Sequence, residues 1–408
     1  MAELQVEGDP RNVGLDPDRL ARLDRHFQRY VDDGRLAGYL VAVARHGKVV
    51  HLSTYGHRDR EAGLPVGSDT VWRLYSMTKP ITSVAALMLY EEGAFELTDP
   101  ISRFLPAWGN PQVYERGAGA GMTTRPAMEP IRIWHLLTHT AGLTYGFLHG
   151  HPVDARYREL GFEWGSPPEM DLATVCDTYA TLPLLFEPGA EWNYSVATDV
   201  LGRLVEVVSG QRLDRFFAER IFEPLGMSDI GFVVDGDRAD RLAALYVADA
   251  DRRAVAANGA AILRPPAAFS GGGGLAGTAA DYHRFMEMLR RRGDLGGVRL
   301  LSPSTVDYLA TNHLPGNVDL EHFGRPLYAE TTFAGVGFGL GVSVTIDPVP
   351  GKVVASPGAY GWGGAASTTF WVDPLEDLTV QFLTQLLPSS THPIRPQLKQ
   401  LVHQALIN

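Results

Sequence analysis

The sequence predicts an α/β unit built from both ends of the chain, with a helical unit inserted between them. Two observations lead there. A helix followed by a strand–turn–strand signal opens the chain, and strands followed by a helix close it. Between about 96 and 265 the signals are helical and rich in loops. The economical arrangement is a sheet covered by helices, residues 1–95 and 266–408, and a helical domain over 96–265. At 408 residues and 45% hydrophobic composition the chain can bury a large core in more than one unit.

The first helix covers 17–33, with Leu20, Leu23, Phe27 and Val31 on one side. Tyr39–Ala44 and Val49–Leu52 flank Arg45-His46-Gly47-Lys48 and read as a hairpin. A second helix begins near Ser76, carries Ile81, Val84, Ala85, Met88 and Leu89 on one face, and stops near Glu92-Gly93. A Gly-Ala-rich tip at 117–121 separates Gln112-Val113-Tyr114 from a return towards Ile131-Arg132-Ile133, a mobile hairpin. Ile133–Leu137 opens a helix. Residues 150–170, with His151, Tyr157, Phe162 and Trp164, read as a loop wall over a pocket. Helices follow at 198–208, around Phe216–Ile221 and around Tyr282–Leu289. Strand patterns then occupy 337–346, 367–373 and 378–385, and Leu398, Leu401, Val402, Ala405 and Leu406 mark a closing helix.

Composition narrows the function. The formal net charge is −11 and no Lys/Arg-rich run stands out, so nucleic acid and anionic membranes are poor partners. The single cysteine, Cys176, excludes an internal disulfide and reads as a buried small residue. His135 and His139 have the spacing of a helical zinc pair, but no Glu follows His135 and their neighbours are apolar; they read as structural, and neither a metal nor an organic cofactor is called for. No apolar run approaches the ~20 residues of a membrane span, and Met1–Pro10 lacks the features of a secretory leader, which reads as a cytoplasmic protein.

The chemistry concentrates at Ser76-Met77-Thr78-Lys79-Pro80. Pro80 belongs in a first helical turn, so Ser76 falls at the positive helix end and Lys79 one turn on, on the same face. A hydroxyl with an amine beside it is a nucleophile with a proton acceptor. The tetrapeptide alone is common. Two further signals support it: Tyr194 just ahead of the 198–208 helix, and Gly361-Trp362-Gly363-Gly364-Ala365 before a strand, where glycines permit close backbone approach. Gly335–Gly341 carries glycine at every second position, a strand with one face stripped rather than a phosphate loop. Gly271–Gly274 lacks the Lys-Ser/Thr of a nucleotide loop, and no Gly-x-Ser-x-Gly occurs.

These motifs resemble the serine β-lactamase and penicillin-binding-protein superfamily, and most closely its class C-like branch, which includes the family VIII carboxylesterases and the fungal statin side-chain acyltransferase. Leu97-Thr98-Asp99-Pro100, His135–Leu143, Tyr194-Ser195, Pro224-Leu225-Gly226-Met227 and Gly273-Gly274-Leu275 through Asp281-Tyr282 extend the likeness across nearly the whole chain. The resemblance implies a β-lactamase/transpeptidase-like fold, an antiparallel sheet flanked by helices with an inserted helical domain and the site in the cleft. It implies Ser76 as nucleophile, Lys79 and Tyr194 as the proton-handling pair, and the backbone N–H groups of Ser76 and Ala365 as the oxyanion hole, where one donor is worth roughly 2.7–4 kcal/mol.

The departures from β-lactamases bear on substrate. Val196 stands where those enzymes carry Asn, and Trp362-Gly363-Gly364 where they carry Lys-Thr-Gly. An anionic substrate loses charge-assisted hydrogen bonds, and Trp362 offers an apolar wall. Tyr145, Trp362, Gly363 and Gly364 are the substrate-binding candidates. The expected activity is a serine carboxylesterase for neutral short- to medium-chain esters, a small-molecule substrate, with an acyltransferase of the same fold as the alternative. A weak β-lactamase or peptidase, or an inactive binding protein, ranks lower. The sequence carries no signal of oligomeric state.

Overall fold

The computed structural model describes residues 3–407. Its frame is an eight-stranded sheet of β1 (Gly38–Arg45), β2 (Lys48–Asp59), β3 (Leu64–Pro65), β4 (Val336–Phe338), β5 (Ser343–Thr345), β6 (Tyr360–Gly363), β7 (Thr369–Asp373) and β8 (Leu378–Leu383). The spatial order is β4-β5-β6-β7-β8-β1-β2-β3, and every neighbouring pair is antiparallel. The early and late parts of the chain meet at β1 and β8, from Leu40 opposite Leu383 to Arg45 opposite Leu378.

Because strand side chains alternate, this register sorts residues onto two faces. Val41, Val43, Val380, Phe382 and Trp371 pack with Leu20, Leu23 and Phe27 of α1 (Pro17–Asp32) and with Leu398 and Val402 of a closing helix, Ile394–His403. Leu40, Ala42, Phe370, Val372 and Leu383 join the larger core, which contains α2 (Thr78–Glu91). Strand β1 is buried on both faces and its sequence is correspondingly apolar. Asp16 caps α1 by accepting from the N–H groups of Asp18 and Arg19, and Pro17 takes its first position, a helix start that the sequence reading places correctly.

Helix α2 is central. Every residue from Thr78 to Leu89 is buried, the polar Thr78, Lys79, Thr82 and Ser83 included, so the helix is enclosed beyond the one apolar face its periodicity marks. It packs on α3 (Ala197–Ser209), which ends at Gly210 with φ 70°. A further helix, α4 (Ala279–Arg290), covers the sheet beside it, and the closing helix Ile394–His403 is α5.

Three local expectations are corrected. The 337–346 stretch is two short strands, β4 and β5, because the chain turns at Gly341, where φ is 88° and a Cβ would lie 1.9 Å from Ser83 Oγ of α2. The stripped face is real: Gly337 lies against Asn312, and Gly339 against the Leu309 carbonyl. The hairpin that starts at Gln112–Arg116 returns over Thr123–Pro126, not over 131–133. The 150–170 stretch contains a helix, Pro152–Glu159, and Tyr157 and Phe162 turn inward to pack on Tyr179, leaving only Trp164 well exposed, at 73%. Among the described residues no helix is long and apolar enough to cross a membrane.

Candidate active site

Ser76 lies in a 3-10 turn, Tyr75–Met77, directly ahead of α2. Tyr75 enters it with φ 47°, a left-handed conformation costly for a bulky residue, so the turn is held by its surroundings. Tyr282 of α4 donates to the Met77 carbonyl at 2.9 Å, and the Thr78 hydroxyl accepts from Leu275 N–H. Pro80 falls in the first turn of α2, where no N–H is required.

Lys79 stands one turn beyond Ser76, with Nζ 3.2 Å from Ser76 Oγ and donating to the Gly272 carbonyl at 2.7 Å. It is fully buried, and burial pushes its pKa down to about 8, opposed by the charges of Asp199 and Glu330. Asp199 of α3 fixes that carbonyl: its Oδ1 accepts from Gly272 N–H at 3.0 Å and from Ser270 Oγ at 2.6 Å. A Cβ on Gly272 would meet the Asp199 carboxylate at 2.9 Å, so a side chain here would displace that carboxylate.

Tyr194 arrives from the segment preceding α3 and donates to Ser76 Oγ at 2.6 Å. Its ring is enclosed by Tyr145, His139, Trp192 and Trp362. Burial holds its phenol well above the usual tyrosine range, as does the charge of Glu330. Lys79 Nζ lies over that ring, 4.7 Å from its centroid.

The turn after β6 closes the site. Gly364 N–H donates to Thr368 O at 2.9 Å, and Ser367 N–H donates to Gly364 O at 3.0 Å. A Cβ on Gly364 would sit 2.4 Å from the Leu74 carbonyl, so this turn and the Ser76 turn are in direct contact. The N–H groups of Ser76 and Ala365 donate to no protein group among the described residues. Unpartnered backbone N–H groups are the kind of donor that an oxyanion formed by attack of a serine calls for.

The structure thus brings Ser76, Lys79, Tyr194, Tyr145, Trp362 and the 363–365 backbone together. It alters the setting of the binding candidates. Trp362 is buried against Tyr194 and Phe338. The space at Gly363 is filled by the Arg395 guanidinium, 2.3 Å from a would-be Cβ. Tyr145 stacks on Phe147, which stacks on Trp164. His135 and His139 are far from being a pair. His135 Nδ1 accepts from Arg132 N–H at 3.0 Å, whereas His139 Nδ1 meets Ser195 Oγ at 3.1 Å, and burial lowers the pKa of both. Cys176 is buried, with its Sγ against the Asp199 carbonyl. The sequence reading did not single out Asp199, Glu330 or Arg395.

Comparison with known proteins gives the same picture. The sequence model of the family described as Beta-lactamase matches residues 23–404. Esterase EstB of Burkholderia gladioli is 33% identical over 396 residues, which is 92% of this chain and 93% of EstB. Among solved structures, EstCE1, described as a hydrolase with promiscuous acyltransferase activity, superposes with a TM-score of 0.79 at 30% identity, covering 96% of this chain and 99% of its own. Simvastatin synthase (LovD) of Aspergillus terreus superposes with a TM-score of 0.78 at 25% identity, covering 95% and 98%.

Proposed function

The chain belongs to the beta-lactamase family and is a serine hydrolase of the esterase and acyl-transfer kind, and from that premise we propose that it is a carboxylesterase acting on neutral short- to medium-chain esters through an acyl-enzyme on Ser76. One observation carries this reading: Ser76 Oγ is contacted at once by Lys79 Nζ at 3.2 Å and by Tyr194 OH at 2.6 Å.

The two partners are suited to different halves of the cycle. Lys79, with a pKa near 8, is neutral in an appreciable fraction of molecules around neutral pH and can take the Ser76 proton as Oγ attacks the ester carbon. Tyr194 stays a phenol because burial disfavours its anion, so it serves as hydrogen-bond donor and proton relay to the departing alkoxide. Lys79 then resupplies Tyr194. Water attacks the acyl-enzyme by the reverse route, with the Ser76 and Ala365 N–H groups holding the oxyanion each time.

The test is a series of p-nitrophenyl esters of increasing acyl length, offered to the wild type and to Ser76→Ala. Turnover falling to background in the variant is expected. An inactive wild type, or a variant that keeps its activity, refutes the reading. A chromogenic cephalosporin should be turned over far more slowly than the esters.

Acyl transfer is the second reading. Ser76 is only 9% exposed and Lys79 and Tyr194 are buried, so any acceptor, water or alcohol, must reach the acyl-enzyme inside a confined site. The likeness to EstCE1 and LovD supports acyl transfer. Ester incubated with a series of alcohols decides between the two: transfer product exceeding free acid at modest alcohol concentration selects the transferase.

A further inference from the structure

Beside the site lies a cavity of about 330 Å³, lined by Leu327, Tyr328, Phe333, Ser389, Ser390 and Arg395 among others. Two routes connect it to Ser76. Arg395 Nη2 donates to Gly364 O at 3.2 Å and to Thr368 O at 3.3 Å, the two ends of the turn that carries Ala365. On the other side, the Tyr328 ring meets Phe147, Phe147 stacks on Tyr145, and Tyr145 meets Tyr194.

A guanidinium in such a cavity would ordinarily select carboxylates, because its fork matches them and the hydrogen bonds are charge-assisted. Here its charge is already paired through Nη2, while Nε is buried with no hydrogen-bond partner among the described residues. Arg395 forms an ion pair with Glu330, whose side chain is 1% exposed. The same carboxylate accepts from the Tyr328 hydroxyl, and from Ser389 Oγ at 2.9 Å. Three donors on one buried carboxylate make Glu330 a fixed internal counterion. It sits behind the cavity wall rather than in the cavity's lining.

We propose that Glu330 is the specificity-determining residue of this cleft: by cancelling the charge of Arg395 it makes the cavity receive an uncharged portion of the substrate and turn away a carboxylate. This rests on the esterase reading and sharpens its substrate class. A neutral alcohol or acyl group meets Leu327, Phe333 and the hydroxyl-bearing Tyr328, Thr331, Ser389 and Ser390. A carboxylate entering the same space would lose its hydration and find a cation whose charge is spent.

The experiment compares kcat/KM for para-acetoxybenzoate and for its methyl ester, which differ in one charge. The wild type should favour the methyl ester. Glu330→Gln leaves Arg395 unopposed, and the carboxylate-to-neutral ratio should rise by about tenfold or more, the effect of one charge-assisted hydrogen bond. Arg395→Gln tests the same idea in mirror image: Glu330 is then uncompensated, and a meta-acetoxyphenyl trimethylammonium ester should gain on its neutral analogue. The double variant should return to the wild-type ratios. Ratios unmoved in a single variant that still turns over the neutral ester overturn the proposal, as does a shift that persists in the double variant. If the wild type hydrolyses neither ester, the esterase reading fails instead. The comparison is then read from the rates at which a neutral and a carboxylate-bearing aryl phosphonate label Ser76, with the same outcomes for and against.

Discussion

Lys79 is the residue on which sequence, energetics and chemistry meet most directly. An amine normally near 10.5 is held at about 8 by burial, and the difference amounts to about 3 kcal/mol against the charged form. The sign follows from proton counting. Between pH 8 and 10.5 the unfolded chain binds more protons at this position than the folded one, so stability rises with pH across that window. Below about 8 the cost is fully present. Lys79→Met should therefore abolish ester turnover while raising stability at pH 7, by up to about 3 kcal/mol in chemical denaturation. A variant that is inactive and also less stable would contradict this account. The same group sets the pH profile: kcat/KM of the wild type should climb with pH, reach half its maximum near 8 and level off above. A profile flat from pH 6 to 9 would remove Lys79 from the role of base.

The proximity of Ser76 and Lys79 was legible because it is local: the contact spans three positions on one turn. Tyr194 lies 118 positions away; its place ahead of a helix marked it, and its role in proton handling came from the resemblance to a family motif. Asp199 offered a faint signal, an acid one turn into the helix that follows Tyr194-Ser195. Glu330 and Arg395, separated by 65 positions, carried none, since nothing in either neighbourhood marks a charge that will be buried.

At the scale of elements, periodicity identified α1, whose faces differ in polarity, while glycine marked the end of α2 and the turn between β1 and β2. It was weaker where glycine serves packing between elements. The alternation at Gly335–Gly341 correctly signalled a stripped face. It did not reveal that Gly341 is a turn pressed against α2, because that depends on Ser83, more than two hundred residues earlier. Gly341→Ala should thus be far from conservative. It meets both an unfavourable φ and an overpacked contact, and a loss of at least about 2 kcal/mol in denaturant titration is expected. Since Ser83 lies one turn beyond Lys79 on α2, the substitution should also reduce kcat.

At the scale of the molecule, the sheet is closed by pairing an early strand with a late one. Phe382 of β8 stacks on Tyr39 of β1, with ring centroids 5.3 Å apart, and packs on Phe27 of α1 at 4.7 Å. Phe382→Ala should cost about 3–5 kcal/mol, as for other large buried aromatics. Because that face of the sheet points away from Ser76, the folded fraction should keep its kcat. A separate readout of stability and of active-site titre distinguishes this from damage to the site. Both chain regions being apolar was visible in the sequence, but which strand pairs with which is a matter of register across more than three hundred residues.

That pairing also constrains how the protein comes into being. On the ribosome, β1 and β2 emerge early, together with Ser76 and Lys79, yet the β1 edge has no partner until Leu378–Leu383 has been synthesised. For most of translation the nascent chain carries an open, largely apolar strand edge, a hazard for intermolecular pairing. The turn bearing Ala365 is made late as well, so Ser76 and the oxyanion donor proposed at Ala365 come together only in the same final stretch of synthesis. Unfinished chains hold the serine without the site, and dependence on chaperones should fall in that interval.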